Sequence, residues 1–206
     1  FALSYWLGDG DYTIEHAQRG IDYFADTGID FLVGVVWSIL GIGHFFLGRY
    51  EKANGYARKG VTIQRENGIA VMLPVVNSNL ALIQFAQGDL EGALASAEES
   101  FGMSIEYETK LYEVSARMVL GRIMGEADPE NNDAEQHIYK GLSMADEMKL
   151  KPSTAQGRLF LGELLANAGR VEEALNNLQK AEAIWREIGV EDYWLTRTQE
   201  DLNRLV

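Results

Sequence analysis

The sequence predicts an all-α fold, an α-solenoid of antiparallel helix pairs. Three observations predict it. The motif Gly-x-apolar-Glu-x-Ala occurs at Gly48–Ala53, Gly88–Ala93 and Gly169–Ala174, and self-similarity at a fixed period marks stacked helical units. The first two motif alanines are 40 residues apart and the last two 81, so a missing copy should place a small residue near position 134, where Ala134 stands. Mostly small residues then recur at helical spacing: Ala17, Ala57, Ala97, Ile138 and Leu178 four places on, and Gly20, Gly60, Ser100, Gly141 and Ala181 seven places on. Positions i, i+4 and i+7 share one face of a helix, and such a face lets two helices approach closely.

The units follow in order. A partial, degenerate unit covers 1–33, with Gly8 and Thr13 in the motif's glycine and alanine places. Complete units are predicted at 34–73, 74–113, 114–154 and 155–194, and 195–206 opens a further one. Each first helix carries a large-then-small pair: Leu40-Gly41, Leu80-Ala81, Leu120-Gly121 and Leu161-Gly162. A glycine inside a helix costs about 1 kcal/mol relative to alanine. Its recurrence at one phase predicts that another helix crosses there. Pro74 falls at the start of a first helix, Pro129 in a within-repeat turn with a one-residue insertion, and Pro152 between units. None interrupts a predicted helix, as the missing N–H requires. Gly28, Gly68 and Gly189 stand where second helices should stop. The opening residues Phe1–Leu7 read as the end of a helix and predict a fragment of a longer protein.

On these residues the chain resembles the tetratricopeptide repeat (TPR). Trp37, Leu40, Gly41 and Ala53 match its pattern, with His44 in the tyrosine place and Ala57 in the phenylalanine place. The period is 40 rather than roughly 34, and Arg65 stands where the pattern has proline. The stretch Gly162–Leu175 looks most like the C-terminal TPR arrays of bacterial ATPase-type regulators and of cyclases carrying an ATPase module. The resemblance implies a right-handed superhelix whose first helices line a concave, partner-binding surface.

Composition narrows the function classes. The 206 residues carry 18 basic and 31 acidic side chains, a net charge of −13. Such a surface repels a phosphate backbone and an anionic membrane. No cysteine is present, which excludes disulfides and thiol chemistry and fits a cytoplasmic location. The longest apolar stretch, Phe31–Leu47, contains Ser38, His44 and several glycines. It is short of the roughly 20 apolar residues of a bilayer span and reads as a buried helix.

No motif predicts catalysis, a cofactor or a metal. His16, His44 and His137 lack a second ligand at metal spacing, and His44 is expected in the core or between helices. Asp9-Gly10-Asp11 begins like a calcium loop, but Ile14 and Gly20 stand where the loop needs glycine and glutamate. Gly41 and Gly43 lack the lysine of a phosphate loop and read as mid-helix. The acidic runs Glu98–Glu108 and Glu126–Glu135 read as solvated faces.

Carried over by position, the resemblance implies a concave face made by Val35, Ser38, Ile42 and Phe45, then Val75, Ser78, Leu82 and Phe85. It continues through Ser115, Met118 and Arg122 to Gln156, Leu159 and Glu163. The same apolar residues could equally be inter-repeat packing, and both readings stand at this point. The Lys/Asn set that clamps a peptide carboxylate in some TPR domains is missing. The expected function is a non-catalytic interaction or regulatory module of a larger signalling protein. It would bind a peptide, a partner domain or another part of its own chain. The alternative is a small-molecule effector sensor, and self-association through terminal repeats is a further option.

Overall fold

The computed structural model describes residues 2–28, 30–128 and 131–206, with side chains from Tyr5 onward. Pro129 and Glu130 of the expected insertion turn, Ile29 and Phe1 lie outside the described residues. The chain is all-α: α1 Ala2–Leu7, α2 Gly10–Thr27, α3 Val33–Phe46, α4 Tyr50–Glu66, α5 Leu73–Ala86, α6 Leu90–Glu106, α7 Lys110–Ala127, α8 Asn132–Glu147, α9 Lys151–Asn167, α10 Val171–Glu187 and α11 Tyr193–Leu205. A 3-10 turn, Ala70–Met72, precedes α5. Residues 1–112 and 113–206 form two compact units.

Local chemistry sets the helix ends. Asp9 caps α2 by accepting the Tyr12 N–H at 2.9 Å, and Asp89 caps α6 through the Gly92 N–H at 2.9 Å. Asn131 caps α8 through the N–H groups of Asp133 and Ala134. An N-cap oxygen satisfies a donor that the first helical turn leaves free. Pro74 and Pro152 both lie in the first turn of a helix, α5 and α9. Pro152 therefore opens a helix where a linker was expected. Second helices end at left-handed residues, Gly28 (φ 69°), Gly68 (φ 69°) and Gly189 (φ 73°). Glu108 (φ 51°) and Lys149 (φ 56°) hold the same place in the repeat with the same backbone conformation.

In the first unit, α3 is buried along most of its length, from Ser38 through Phe45. Among the described residues no helix is long and apolar enough to cross a membrane. A methyl group at Gly34 would sit 2.6 Å from the Gly60 carbonyl oxygen, and one at Gly41 would sit 2.8 Å from that of Ala53. Helices α3 and α4 therefore approach to backbone contact, with Ala53 and Ala57 fully buried between them. Gly43 is equally confined, against Ile14 and the Gly10 carbonyl of α2. Its close packing explains the glycine without any phosphate.

The second unit repeats the device. A methyl at Gly121 would lie 2.5 Å from the Ala134 carbonyl oxygen, and one at Gly162 would lie 2.6 Å from Leu178 Cγ. The large-then-small pair is thus the crossing point of first and second helix in α7/α8 and in α9/α10. Below the crossings the core is filled by Phe160, Leu161, Leu165, Trp185 and Trp194, all essentially inaccessible. Trp185 and Trp194 stack with centroids 6.1 Å apart.

Candidate functional site

The residues expected on the concave face divide by burial. Ser38, Ile42, Phe45, Ser78, Leu82, Met118, Gln156 and Leu159 are buried. Val35, Val75, Phe85 and Ser115 are half-buried. The buried members act as packing and hydrogen-bonding groups. Asn79 Nδ2 donates to Ser38 Oγ at 2.9 Å, joining the first helices of consecutive repeats. Ser78 and Ser100 share a 2.8 Å hydrogen bond, and Ser100 donates to the Pro74 carbonyl at 2.6 Å.

Arg122 and Glu163 are different. Arg122 projects from α7 and donates through Nε to Glu163 Oε2 on α9 at 2.6 Å. Arg197, from α11, donates through Nε to Glu163 Oε1, also at 2.6 Å. Its Nη1 reaches the Tyr193 hydroxyl at 3.3 Å. The Arg122 guanidinium lies 4.6 Å from the Phe160 ring centroid, a cation–π distance. Three first helices of the second unit are thus tied by one carboxylate between two guanidinium groups. The row is buried at one end and open at the other, with side-chain exposure of 7% at Arg122, 13% at Glu163 and 31% at Arg197.

The electrostatics follow from this geometry. Burial raises the Glu163 pKa, but the attraction of Arg122 and Arg197 outweighs it and holds the carboxyl below its usual range. Burial also pushes the Tyr193 hydroxyl up. With Glu163 ionised the group carries one net positive charge, in a chain whose net charge is −13. No acid–base pair faces a common reacting position here. What the row offers is fixed hydrogen-bond donors and a local cation.

Sequence reasoning singled out Arg122 and Glu163 but not Arg197. The missed signal was its column. Arg197 stands 40 residues after Gly157, in a place otherwise held by Val36, Val76, Ala116 and Gly157. A charge in a column of small and apolar residues was the available mark.

The other candidate groups have structural partners. His44 is stacked on Tyr56 at 5.2 Å, and Tyr56 on Trp37 at 5.7 Å. Burial first, then Arg49 and Lys52, lower the His44 pKa. His16 stacks on Tyr12 at 4.0 Å. Asp9 serves as the α2 cap described above. A cleft of about 400 Å³ on the second unit is lined by Arg117, Met124, Asp133, Gln136, His137 and Lys140.

The tetratricopeptide repeat family model matches residues 74–99 and 155–179, each a first helix and the opening of its second. No curated protein matches the sequence. Among solved structures, the fold is similar to that of a Rap protein complexed with Competence and Sporulation Factor, with a TM-score of 0.65 and 15% identity over 98% of this chain. The chain spans 60% of that Rap protein's length. It is also similar to BtubC (BKLC) from P. vanneervenii, with a TM-score of 0.64 and 19% identity, covering 100% of this chain and 83% of that one. A third similar structure holds nearly identical TPR-like kinesin light chain repeats from Podosopora anserina, with a TM-score of 0.55, 15% identity and coverage of 88% and 89%. At these identities the likeness is one of fold.

Proposed function

For this chain of the tetratricopeptide-repeat family, we propose a non-catalytic interaction module that takes a peptide or partner domain on the first-helix face of its second unit. One observation carries the reading. Positions 42, 82, 122 and 163 occupy equivalent places in successive repeats and hold Ile, Leu, Arg and Glu. Ile42 and Leu82 are buried there without any charge, so the fold accepts an aliphatic side chain at this place. Burying ions instead carries a desolvation penalty that their mutual attraction often fails to repay. The Arg122–Glu163–Arg197 row is therefore better explained by recognition than by stability. Its half-exposed end, Arg197, suits a carboxylate on the partner, which a guanidinium binds with two parallel hydrogen bonds. The similar fold of a Rap protein complexed with Competence and Sporulation Factor supports the use of this fold for binding a partner.

An array of short synthetic peptides tests this. Bound sequences should be enriched in Asp and Glu, and Arg197→Gln should abolish their signal, while Arg19→Gln, on the exposed α2 pair with Glu15, should leave it unchanged. Equal binding by wild type and Arg197→Gln would overturn the reading. A second reading, small-molecule effector sensing, draws on the cleft beside Arg117 and Lys140. It predicts thermal stabilisation by one metabolite class that Lys140→Ala removes and Arg197→Gln does not.

A further inference from the structure

The turns between repeats of the first unit carry a second surface. Phe31, Val71 and Leu111 stand 40 residues apart. Each is exposed, at 47%, 40% and 51% respectively. They occupy corresponding places in three successive turns: ahead of α3, in the 3-10 turn ahead of α5, and in the first turn of α7. These turns touch one another. Asn67 Nδ2 donates to the Asp30 carbonyl at 2.6 Å, Gln64 Nε2 reaches the Phe31 carbonyl at 3.3 Å, and the Tyr112 hydroxyl lies 3.2 Å from the Met72 sulfur. Ile105, also exposed, joins from the last turn of α6. Single exposed apolar side chains are ordinary, whereas a contiguous row rimmed by polar groups marks an interaction surface.

The rim is acidic, and it has the same period. Asp26, Glu66 and Glu106 recur every 40 residues in the last turns of α2, α4 and α6. Negative charge there opposes the helix dipole, so helix stability does not favour it. Asp30 and Glu108 add carboxylates in the same turns, against the exposed cation of Lys110. No ion pair holds these five carboxylates among the described residues, and the neighbouring Arg65 is taken by Glu99. In the second unit the acidic column continues at Glu147, with Pro152 in the apolar place, and at Glu187, paired with Lys151 at 2.5 Å, with Asp192 in the apolar place. The acidic column thus continues into the second unit, but the exposed apolar row beside it, Phe31, Val71 and Leu111, belongs to the first unit's turns alone.

We propose that this row docks a partner protein segment in which apolar and basic side chains alternate. The apolar residues would seat on Phe31, Val71 and Leu111, and the basic ones would meet Asp26, Glu66 and Glu106. Charge complementarity selects that occupant. The same rim repels a second copy of this chain, an anionic bilayer and nucleic acid. The surface shares no residue with the Arg122–Glu163–Arg197 row and prefers a partner of opposite charge, so the two readings fail independently.

The test uses the whole chain and a labelled synthetic peptide of alternating leucine and lysine pairs, followed by fluorescence anisotropy, with its leucine/glutamate counterpart as control. The lysine peptide should bind and the glutamate peptide should not. Leu111→Ser and Phe31→Ser, both at exposed positions, should each weaken binding at least tenfold with helix content unchanged. Glu66→Lys/Glu106→Lys should weaken it at least tenfold, while Glu51→Lys/Glu91→Lys, with the same net charge at the opposite helix ends, should change it less than twofold. Equal loss with the two charge pairs, or unchanged binding by Leu111→Ser, would overturn the proposal. So would a concentration-dependent dimer that Leu111→Ser dissolves and the lysine peptide does not compete with.

Discussion

At the scale of single residues, the repeat exposes its own compromises. Five second helices end in the same left-handed conformation, three of them at glycine and two at Glu108 and Lys149. A side chain in this region costs roughly 1–2 kcal/mol, because Cβ crowds the following carbonyl, and glycine escapes that penalty. Lys149→Gly should therefore stabilise the protein by about 1 kcal/mol. Urea unfolding would show it as a raised midpoint at unchanged slope. The same residue-level logic explains what was readable in advance. Asp9, Gly41 and Ala134 are dictated by caps and helix crossings, which are local and steric, so their spacing in the sequence is enough to place them. Glu108 and Lys149 broke the glycine rule and hid two helix ends.

At the scale of the element, the helix pair is governed by close approach. Gly121 sits 3.1 Å or less, counted from a notional methyl, from the Ala134 carbonyl and from side-chain carbons of Ile138 and His137. Gly121→Ala gains helix propensity but must push a backbone carbonyl aside, and overpacking of this kind typically costs about 1–3 kcal/mol. A net loss of thermal stability is expected. An increase would mean that α7 and α8 do not cross there. Elements also mark where the sequence stopped being informative. Spacing along α3 or α5 shows which residues share a face. It does not show how far the next first helix covers that face, since stacking geometry decides that. Ile42 and Leu82 read equally well as groove or as packing, and burial assigns them to packing. Arg122 and Glu163 were visible as the charges of the face, but their union required knowing that α7 and α9 bring positions 41 residues apart within 2.6 Å. Arg197 lay in a helix the repeat pattern had only begun.

At the scale of the whole molecule, stability in repeat proteins is nearly a sum of units and their neighbour contacts, while the chemistry of this chain is unevenly spread. The first unit pairs aliphatic first-helix positions with an acidic, apolar row of turns. The second replaces the aliphatic positions with an ion row. On the proposed function, this ion row serves recognition rather than folding. Its most direct test is the unfolding free energy of three proteins: wild type, Glu163→Leu and Arg122→Leu/Glu163→Leu. Removing Glu163 alone leaves a buried guanidinium unpaired and should cost about 3–5 kcal/mol. Removing both charges leaves aliphatic side chains as at Ile42 and Leu82, while Arg197, the open end of the row at 31% exposure, keeps the Tyr193 hydroxyl and gains water, so the double variant should return to within about 1 kcal/mol of wild type or exceed it. It should also lose an acid-sensitive component. Because the Glu163 pKa is depressed in the folded state, its contribution is complete above the unfolded value of about 4.3 and fades as pH falls through the lower folded value. A double variant as unstable as Glu163→Leu would contradict the account and make the row a structural necessity.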